Sequence, residues 1–397
     1  MKINKICILG AGYIGLPTAA LLASKGFEVT VCDIKNDVVK LINSGQIHIV
    51  ETGLLELVEK SVAAGSLKAS LNLVEADVYI IAVPTPFDSE NNNLVTGTPK
   101  PDLKFVYQAA QSIATVAQPG SLVILESTSP VGTTRKISSY FSNKRCEKQD
   151  FYFAHCPERV LPGNILFELE NNDRVVGGLD LASTEITTDF YHSFISGNVH
   201  STSAETAEMC KLVENAYRDV NIAFANELSM IAHDSIDVAE LINLANFHPR
   251  VNILKPGCGV GGHCISVDPW FLVDETDGQS ELIHKARQVN DRKTEWVIKK
   301  ILNEHTKVPT IPIICYGLTY KPDIDDIRES PALKIAIDLM SEDLNVFCVE
   351  PNLNFVENIK LLEINEAISQ TALHVMLVPH KNFADIKSFN GKYIDFS

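Results

Sequence analysis

The chain has 397 residues, 45% of them hydrophobic and 7% aromatic, with a formal net charge of −16 at pH 7. That length exceeds one ordinary core, so two or three domains are expected, of soluble globular composition. No window approaches the roughly 18 uninterrupted apolar residues of a membrane span, and the acidic balance argues against nucleic acid, whose phosphates require clustered Lys and Arg.

The N-terminal "KICILGAG" has a strand's length and opens into a glycine turn, so it reads as structure and not as a secretion signal; a cytoplasmic chain is expected. Short apolar runs then alternate with helical patterns: "IGLPTAALLASKG", "EVTVCDI", "NDVVKLINSG", "ADVYIIAVPTP" and "GSLVILESTSP". Such alternation predicts a doubly wound parallel sheet of the Rossmann type, extended by "QDFYFAHCPERVLPG" and "NDRVVGG". From Ser203 to Ile236 no Gly or Pro interrupts a helical pattern, and "DVAELINLANFH" and "ELIHKARQVNDRKTEWVIKKILNE" continue as helix. Strand patterns return in "TIPIICYGLTY", "LNVFCVEP" and "LHVMLVPH". The fold class expected is therefore α/β. A Rossmann-type domain (1–198) precedes a central helical domain with one long helix (199–307), and a Rossmann-like α/β domain (308–397) ends the chain.

Gly10, Gly12 and Gly15 form a G-x-G-x-x-G spacing between an apolar strand and an Ala/Leu helix. The first glycine permits a tight turn, the second lets pyrophosphate approach backbone, and the third lets helix pack on strand. Asp33 ends the next strand, about 20 residues on, where a carboxylate binds a ribose 2′-OH and repels a 2′-phosphate. NAD is the expected cofactor. Thr85 in "VPTP" and Thr128 in "ESTSP" follow later strands, at the edge where such sheets bind ligands.

Nine cysteines, an odd number at irregular spacing, do not suggest a disulfide framework. Cys7, Cys32, Cys315 and Cys348 lie in strand-like runs as small hydrophobes. Cys258, His263 and Cys264 make a poor zinc set, and no metal is expected. In "PGCGVGGHCISVDPW" the glycines admit a substrate close to backbone, beside a thiol. A thiol in a dinucleotide enzyme suggests oxidation through a covalent adduct, with Cys264 favoured as nucleophile, Cys258 its competitor, and Asp268 four residues on. Lys211, Asn215 and Arg218 share one helix face at i, i+4, i+7, with Met209, Leu212 and Ala216 turned to another. Lys211 and Asn215 could donate to an oxyanion. In "CPERV", Glu158 could handle protons or activate water, and Arg159 could bind an anion.

These motifs, with "VPTPF", "CPERVLPG", "TAEMCKLVENAYRDVNIAFANEL", "HPRVNILKPGCGVGGHCISVDPWF" and "GLTYKPDIDDIRESPAL", resemble the nucleotide-sugar dehydrogenase family over essentially the whole chain. The resemblance implies oxidation of C6 of a UDP-linked hexose to a carboxylate, using two NAD. It implies Cys264 as nucleophile, Lys211 as alkoxide stabiliser and proton relay, and support from Glu158, Asn215 and Asp268. Around the sugar nucleotide it implies Arg159, Val160, Lys211, Asn215, Arg218, His248, Arg250, Gly261, Tyr320 and Lys321; around NAD it implies Arg328 and the turn residues Tyr13 and Ile14. "CPERVLPG", "NIAFANEL" and "HPRVNILKPG" are similar to the branch acting on a UDP-linked N-acetylhexosamine, with UDP-N-acetyl-D-mannosamine the expected substrate and UDP-N-acetylglucosamine or UDP-glucose the alternatives. A non-catalytic sensor would have lost a reactive residue, and all are present. The family's use of the long helix for self-association implies a homodimer. Cys258 departs from the proline that the family often carries.

Overall fold

The structure, a computed structural model, describes residues 3–92, 99–144, 151–161, 163–233, 235–262, 264–276 and 278–397. It forms two compact units, Met1–Val213 and Glu214–Ser397.

In the first unit β1 (Lys5–Leu9), α1 (Gly15–Ser24), β2 (Glu28–Cys32), α2 (Asn36–Asn43), α3 (Leu54–Ala63), β3 (Leu67–Ser70) and β4 (Val78–Ile81) alternate strand with helix. β5 (Phe87–Asn92) and β6 (Pro99–Pro101) form a separate antiparallel pair. α4 (Lys104–Val116), β7 (Leu122–Leu125), α5 (Thr133–Ser138), β8 (Tyr152–His155), α6 (Ile165–Asn171), β9 (Arg174–Gly178), α7 (Leu181–His192) and β10 (Val199–Ser203) complete the unit. Eight strands make one sheet, ordered β10-β9-β8-β7-β4-β1-β2-β3. Its central strands are buried on both faces because helices cover both. Alternation divides β1 between two cores, Ile6 and Ile8 in one, Cys7 and Leu9 in the other.

One junction departs from the parallel expectation. β9 runs antiparallel to β8, with His155 opposite Gly177. The chain leaves β8 at its carboxyl edge and enters β9 from that same edge, so Arg174 begins its strand where Glu158 has just left the sheet.

The helix α8 (Ala204–Ile231) crosses the boundary between the units. It stops short of the expected Ile236. Asp237 accepts from the N–H groups of Ala239 and Glu240 and caps a new helix, α9 (Val238–Ala245), while His233 Nδ1 accepts from Ser235 N. Side chains that satisfy nearby backbone end a helix without Gly or Pro. Of the residues turned away from Lys211 and Asn215, Leu212 and Ala216 are buried and Met209 is exposed.

The second unit adds α10 (Asp268–Glu275) and α11 (Glu281–His305), then β11 (Ile313–Tyr316), α12 (Pro331–Ser341), β12 (Val346–Val349), α13 (Ile364–Ser369), β13 (Ala372–Met376) and β14 (Gly391–Asp395). The four strands form a parallel sheet ordered β12-β11-β13-β14. Val297 and Ile301 of α11 share its core with Ile335, Ala336 and Leu339 of α12. Among the described residues no helix is long and apolar enough to cross a membrane.

Candidate active site

The glycine turn closes the carboxyl end of β1. Gly10 takes φ +99°, and a Cβ there would lie 2.4 Å from the Ala82 carbonyl; a Cβ on Gly15 would lie 1.8 Å from the Gly10 carbonyl. At Gly12 nothing stands within 4 Å of that position. The turn is therefore closed where helix and strand must touch and open where a ligand would approach. No side chain caps α1 at Ile14, so this helix start can meet a phosphate, and Tyr13 and Ile14 are half-buried beside it. Asp33, also half-buried, accepts from Ala11 N at 3.0 Å and from Lys35 N at 2.9 Å, so the turn itself orients the carboxylate. Thr85 and Thr128 follow the adjacent strands β4 and β7, and Ser127 Oγ ties their loops by donating to the Val83 carbonyl at 2.7 Å. The residues present fit a dinucleotide.

The same edge carries Glu158. It is partly buried, and burial pushes its carboxyl above the usual range while the positive charges of Lys211 and Arg174 oppose the rise. Its carboxylate accepts from Val160 N, and Arg159 donates to the Asp173 carbonyl at 3.3 Å. Lys211 is 9% exposed. Behind Glu158 lies a polar group that sequence reasoning missed: Glu126, His155, Arg174 and Tyr191, each buried to 2% exposure or less. Burial pushes Glu126 up to about 7, against the Arg174 charge, and His155 down to about 3. The signal was present, since "LVILE" ends an apolar strand on a carboxylate and "DRVVGG" begins one on a guanidinium.

In the second unit Asn215 Nδ2 donates to Asp268 Oδ2 at 2.5 Å, both residues being buried. Asp268 begins α10, and its N–H donates to the Cys264 carbonyl at 2.8 Å, as Val267 N does at 3.0 Å. The half-buried Cys264 thus sits on the turn that leads into this helix. Burial lowers the pKa of Lys321, the Arg218 charge lowers it further, and Asp326 and Cys264 act the other way. Two cations and the thiol therefore share one neighbourhood. A Cβ on Gly261 would lie 2.8 Å from Tyr320 Cβ, and one on Gly262, at φ +82°, would lie 2.8 Å from the Tyr320 ring. Only glycine lets this loop run against Tyr320.

His248 and Arg250 are exposed on the turn after α9, linked by the Arg250 N–H to His248 Nδ1 at 3.3 Å. Arg328 is exposed and forks onto Asp326. The competitor thiol behaves differently. Cys258 lies in the core formed by α11, β11 and β12, and burial pushes it up to about 12, leaving Cys264 as the reachable thiol of the two. His263 lies outside the described residues.

The chain belongs to the UDP-glucose/GDP-mannose dehydrogenase family: its NAD binding domain matches residues 4–195, its central domain 205–292 and its UDP binding domain 314–394. It is an NAD-dependent nucleotide-sugar dehydrogenase. A UDP-N-acetyl-D-mannosamine dehydrogenase of Campylobacter jejuni is 47% identical over 405 residues, 98% of each chain. An NDP-N-acetyl-D-galactosaminuronic acid dehydrogenase of Ralstonia nicotianae is 46% identical, over 95% of this chain and 91% of its own. Among solved structures, the UDP-D-ManNAc dehydrogenase from Pyrococcus horikoshii superposes with a TM-score of 0.89 at 37% identity, covering 99% of this chain and 95% of its own.

Proposed function

We propose that the chain oxidises the C6 alcohol of UDP-N-acetyl-D-mannosamine to the carboxylate, supplying an N-acetylmannosaminuronate donor for surface polysaccharide in the cytoplasm. The near-complete match to a dehydrogenase of that sugar carries this reading. Per sugar, one alcohol, one water and two NAD⁺ become one carboxylate, two NADH and three protons. NAD supplies the hydride acceptor in both oxidations.

The chain's residues divide the remaining work. Cys264 adds its sulfur to the C6 aldehyde; the thiohemiacetal is oxidised to a thioester, and water releases the acid. Its place on a turn held by Asp268 favours one approach geometry. Lys211 and Asn215 stabilise the alkoxide as it forms, with Asp268 fixing the Asn215 amide. Glu158, its carboxyl raised by burial, takes and returns the proton of the hydrolytic water. Arg159, Arg218, Arg250 and Lys321 provide local cations for a diphosphate on an acidic protein, and His248 adds a ring nitrogen beside Arg250. Val160, Gly261 and Tyr320 shape the sugar pocket, and Arg328 joins Gly10, Gly12, Tyr13, Ile14, Gly15, Asp33, Thr85 and Thr128 as a cofactor ligand. The division at 1–198, 199–307 and 308–397 follows these roles.

A homodimer completes the reading. Met209, Val213, Tyr217, Phe224 and Ile231 are exposed on α8 at near-heptad spacing, an apolar stripe suited to the same stripe of a second copy. Replacing Tyr217 and Phe224 by Glu should convert the dimer to monomer in sedimentation.

The deciding experiment is NADH formed per sugar across a panel of UDP-hexoses. Two NADH per UDP-N-acetylmannosamine, abolished by Cys264→Ala, are expected. Preference for a nucleotide-linked N-acetylgalactosamine, the sugar in the Ralstonia relative's name, or for UDP-N-acetylglucosamine or UDP-glucose would move the substrate. No NADH from any sugar would overturn the activity.

A further inference from the structure

A polar seam between α8 and α11, within the second unit, lies outside the reaction as described. Asp219 and Asn226 are seven residues apart on α8, while Arg287, Asn290 and Thr294 follow i, i+3, i+7 on α11, so each set shares a face. Long helices usually meet through apolar residues at such spacing. Here Asp219, Asn226 and Asn290 are 0% exposed and Arg287 2%. Arg287 Nη1 donates to Asp219 Oδ1 at 2.7 Å, Asn290 Nδ2 donates to the same oxygen at 2.8 Å, and Asn226 Nδ2 donates to Asn290 Oδ1 at 2.9 Å.

Arg287 Nη2 also donates to the exposed Asp291 on its own helix at 2.7 Å, and three further bonds run from the seam to the loop that carries Cys264. Asn226 Oδ1 accepts from Gly257 N at 2.9 Å, Thr294 Oγ1 donates to the Cys258 carbonyl at 3.0 Å, and Arg287 Nη1 reaches the Ile265 carbonyl at 3.5 Å. A Cβ on Gly259, at φ +144°, would lie 2.5 Å from Thr294 Oγ1, so the loop is pressed against the seam as well as bonded to it. Between the anchors stand Gly259, Gly261 and Gly262, residues that lose the most backbone freedom when ordered. A buried ion pair rarely out-stabilises apolar residues of equal volume, but its directional bonds specify one geometry.

We propose that Asp219, Asn226, Arg287 and Asn290 are positioning residues, a clamp that fixes both ends of the 257–265 loop and so presents the Cys264 sulfur in one orientation. The inference rests on Cys264 as nucleophile.

The test uses the purified full-length chain with three variants: Asn226→Ala, Arg287→Lys, and Asp219→Leu/Arg287→Met, which removes both buried charges together. Thermal melting checks folding, steady-state kinetics separate kcat from KM, and iodoacetamide labelling measures the reactivity of Cys264, with Cys264→Ser identifying its signal. In the variants that melt cooperatively, kcat should fall ~10–100-fold, as for reacting groups displaced by about 1 Å, while both KM values stay within about threefold. Arg287→Lys keeps the charge and should recover part of the loss of the double variant. Labelling of Cys264 should change by more than about threefold, because its environment is no longer fixed. Asn226→Ala removes no charge, so it decides the matter should the others fail to fold. Wild-type kcat and labelling in every folded variant would overturn the clamp. Full turnover by Cys264→Ser would instead overturn the nucleophile reading, while the labelling rates would still decide whether the seam holds the loop.

Discussion

The chain builds the same strand-end turn twice and finishes it differently. At the end of β1, Gly10 has φ +99° and donates to the Cys32 carbonyl at 2.8 Å; at the end of β11, Gly317 has φ +83° and donates to the Val349 carbonyl at 2.8 Å. In each turn the next residue's N–H meets a carboxylate that closes the neighbouring strand: Ala11 with Asp33 at 3.0 Å, Leu318 with Glu350 at 2.7 Å. Then they diverge. Asp33 stays half-buried, whereas Glu350 is 4% exposed and also accepts from Asn352 N and His380 Nε2, each at 3.0 Å. Asp323 N donates to His380 Nδ1 at 2.9 Å, so the ring is held through both of its nitrogens. The first carboxylate keeps an accessible side; the second is consumed internally. Equally, α1 starts directly after the first turn and offers its N-terminus, while α12 starts only at Pro331, and the intervening chain carries Tyr320 and Lys321. The first turn thus presents backbone N–H groups and a carboxylate, the second a stretch with an aromatic ring and a cation.

The largest effect should come from breaking what the turns share. Gly10→Ala sets a Cβ 2.4 Å from the Ala82 carbonyl, and Gly317→Ala sets one 2.5 Å from the Val378 carbonyl, each at positive φ. Each should cost about 3 kcal/mol in urea denaturation. Only Gly10→Ala should also abolish NAD binding in a calorimetric titration; equal NAD loss from both would dissolve the distinction.

Buried carboxylates sharpen the contrast through pH. Burial raises Glu126 to about 7, so the folded state holds its proton more tightly than the unfolded chain, and this contribution to stability falls as pH rises from about 4.5 to about 7. For Glu350, burial acts upward, but His380 and the N–H groups of Leu318 and Asn352 outweigh it, and the net shift is downward. Its contribution is present above the unfolded pKa and is lost as pH falls through the folded one. Glu126→Gln and Glu350→Gln both mimic the protonated side chain and should converge on wild type in acid. At pH 8 they should separate in opposite senses: Glu126→Gln more stable than wild type by about 3 kcal/mol, Glu350→Gln less stable. The same sign for both in denaturation series from pH 4 to pH 8 would show that the two carboxylates are not held differently.

How much of this could be read from sequence follows the range of the interactions. The glycine triplet, Asp33 and the "GVGGHC" loop depend on residues close along the chain, and their spacing displays them. The end of α8 was misread because no Gly or Pro marks it; a capping aspartate and a histidine do. The antiparallel β9 was misread because strand patterns carry no direction. The pairing of Arg287 with Asp219, 68 residues apart, could not be seen at all, since each looks like ordinary helix surface until the two helices pack. Glu350 was likewise invisible, because nothing local to "CVEP" announces His380.

The smallest expected effect probes the carboxylate left available. Asp33→Ala removes an acceptor shared by the buried Ala11 N and the exposed Lys35 N, so stability should fall by about 1 kcal/mol as the buried N–H loses its partner. A ribose that loses one charge-assisted hydrogen bond should bind about tenfold more weakly, close to 1.4 kcal/mol. The same change removes the charge that repels a 2′-phosphate, and the neighbouring Lys35 then faces it without a competing anion. NAD affinity should therefore fall while NADP affinity rises, narrowing the preference from both sides. Glu350→Ala should leave both affinities unchanged, because His380 and the backbone already occupy that carboxylate. Titrating the two variants with each dinucleotide separates a reachable carboxylate from an engaged one. An Asp33→Ala chain with unchanged NAD and NADP affinities would mean that the first turn, like the second, spends its acid on its own backbone.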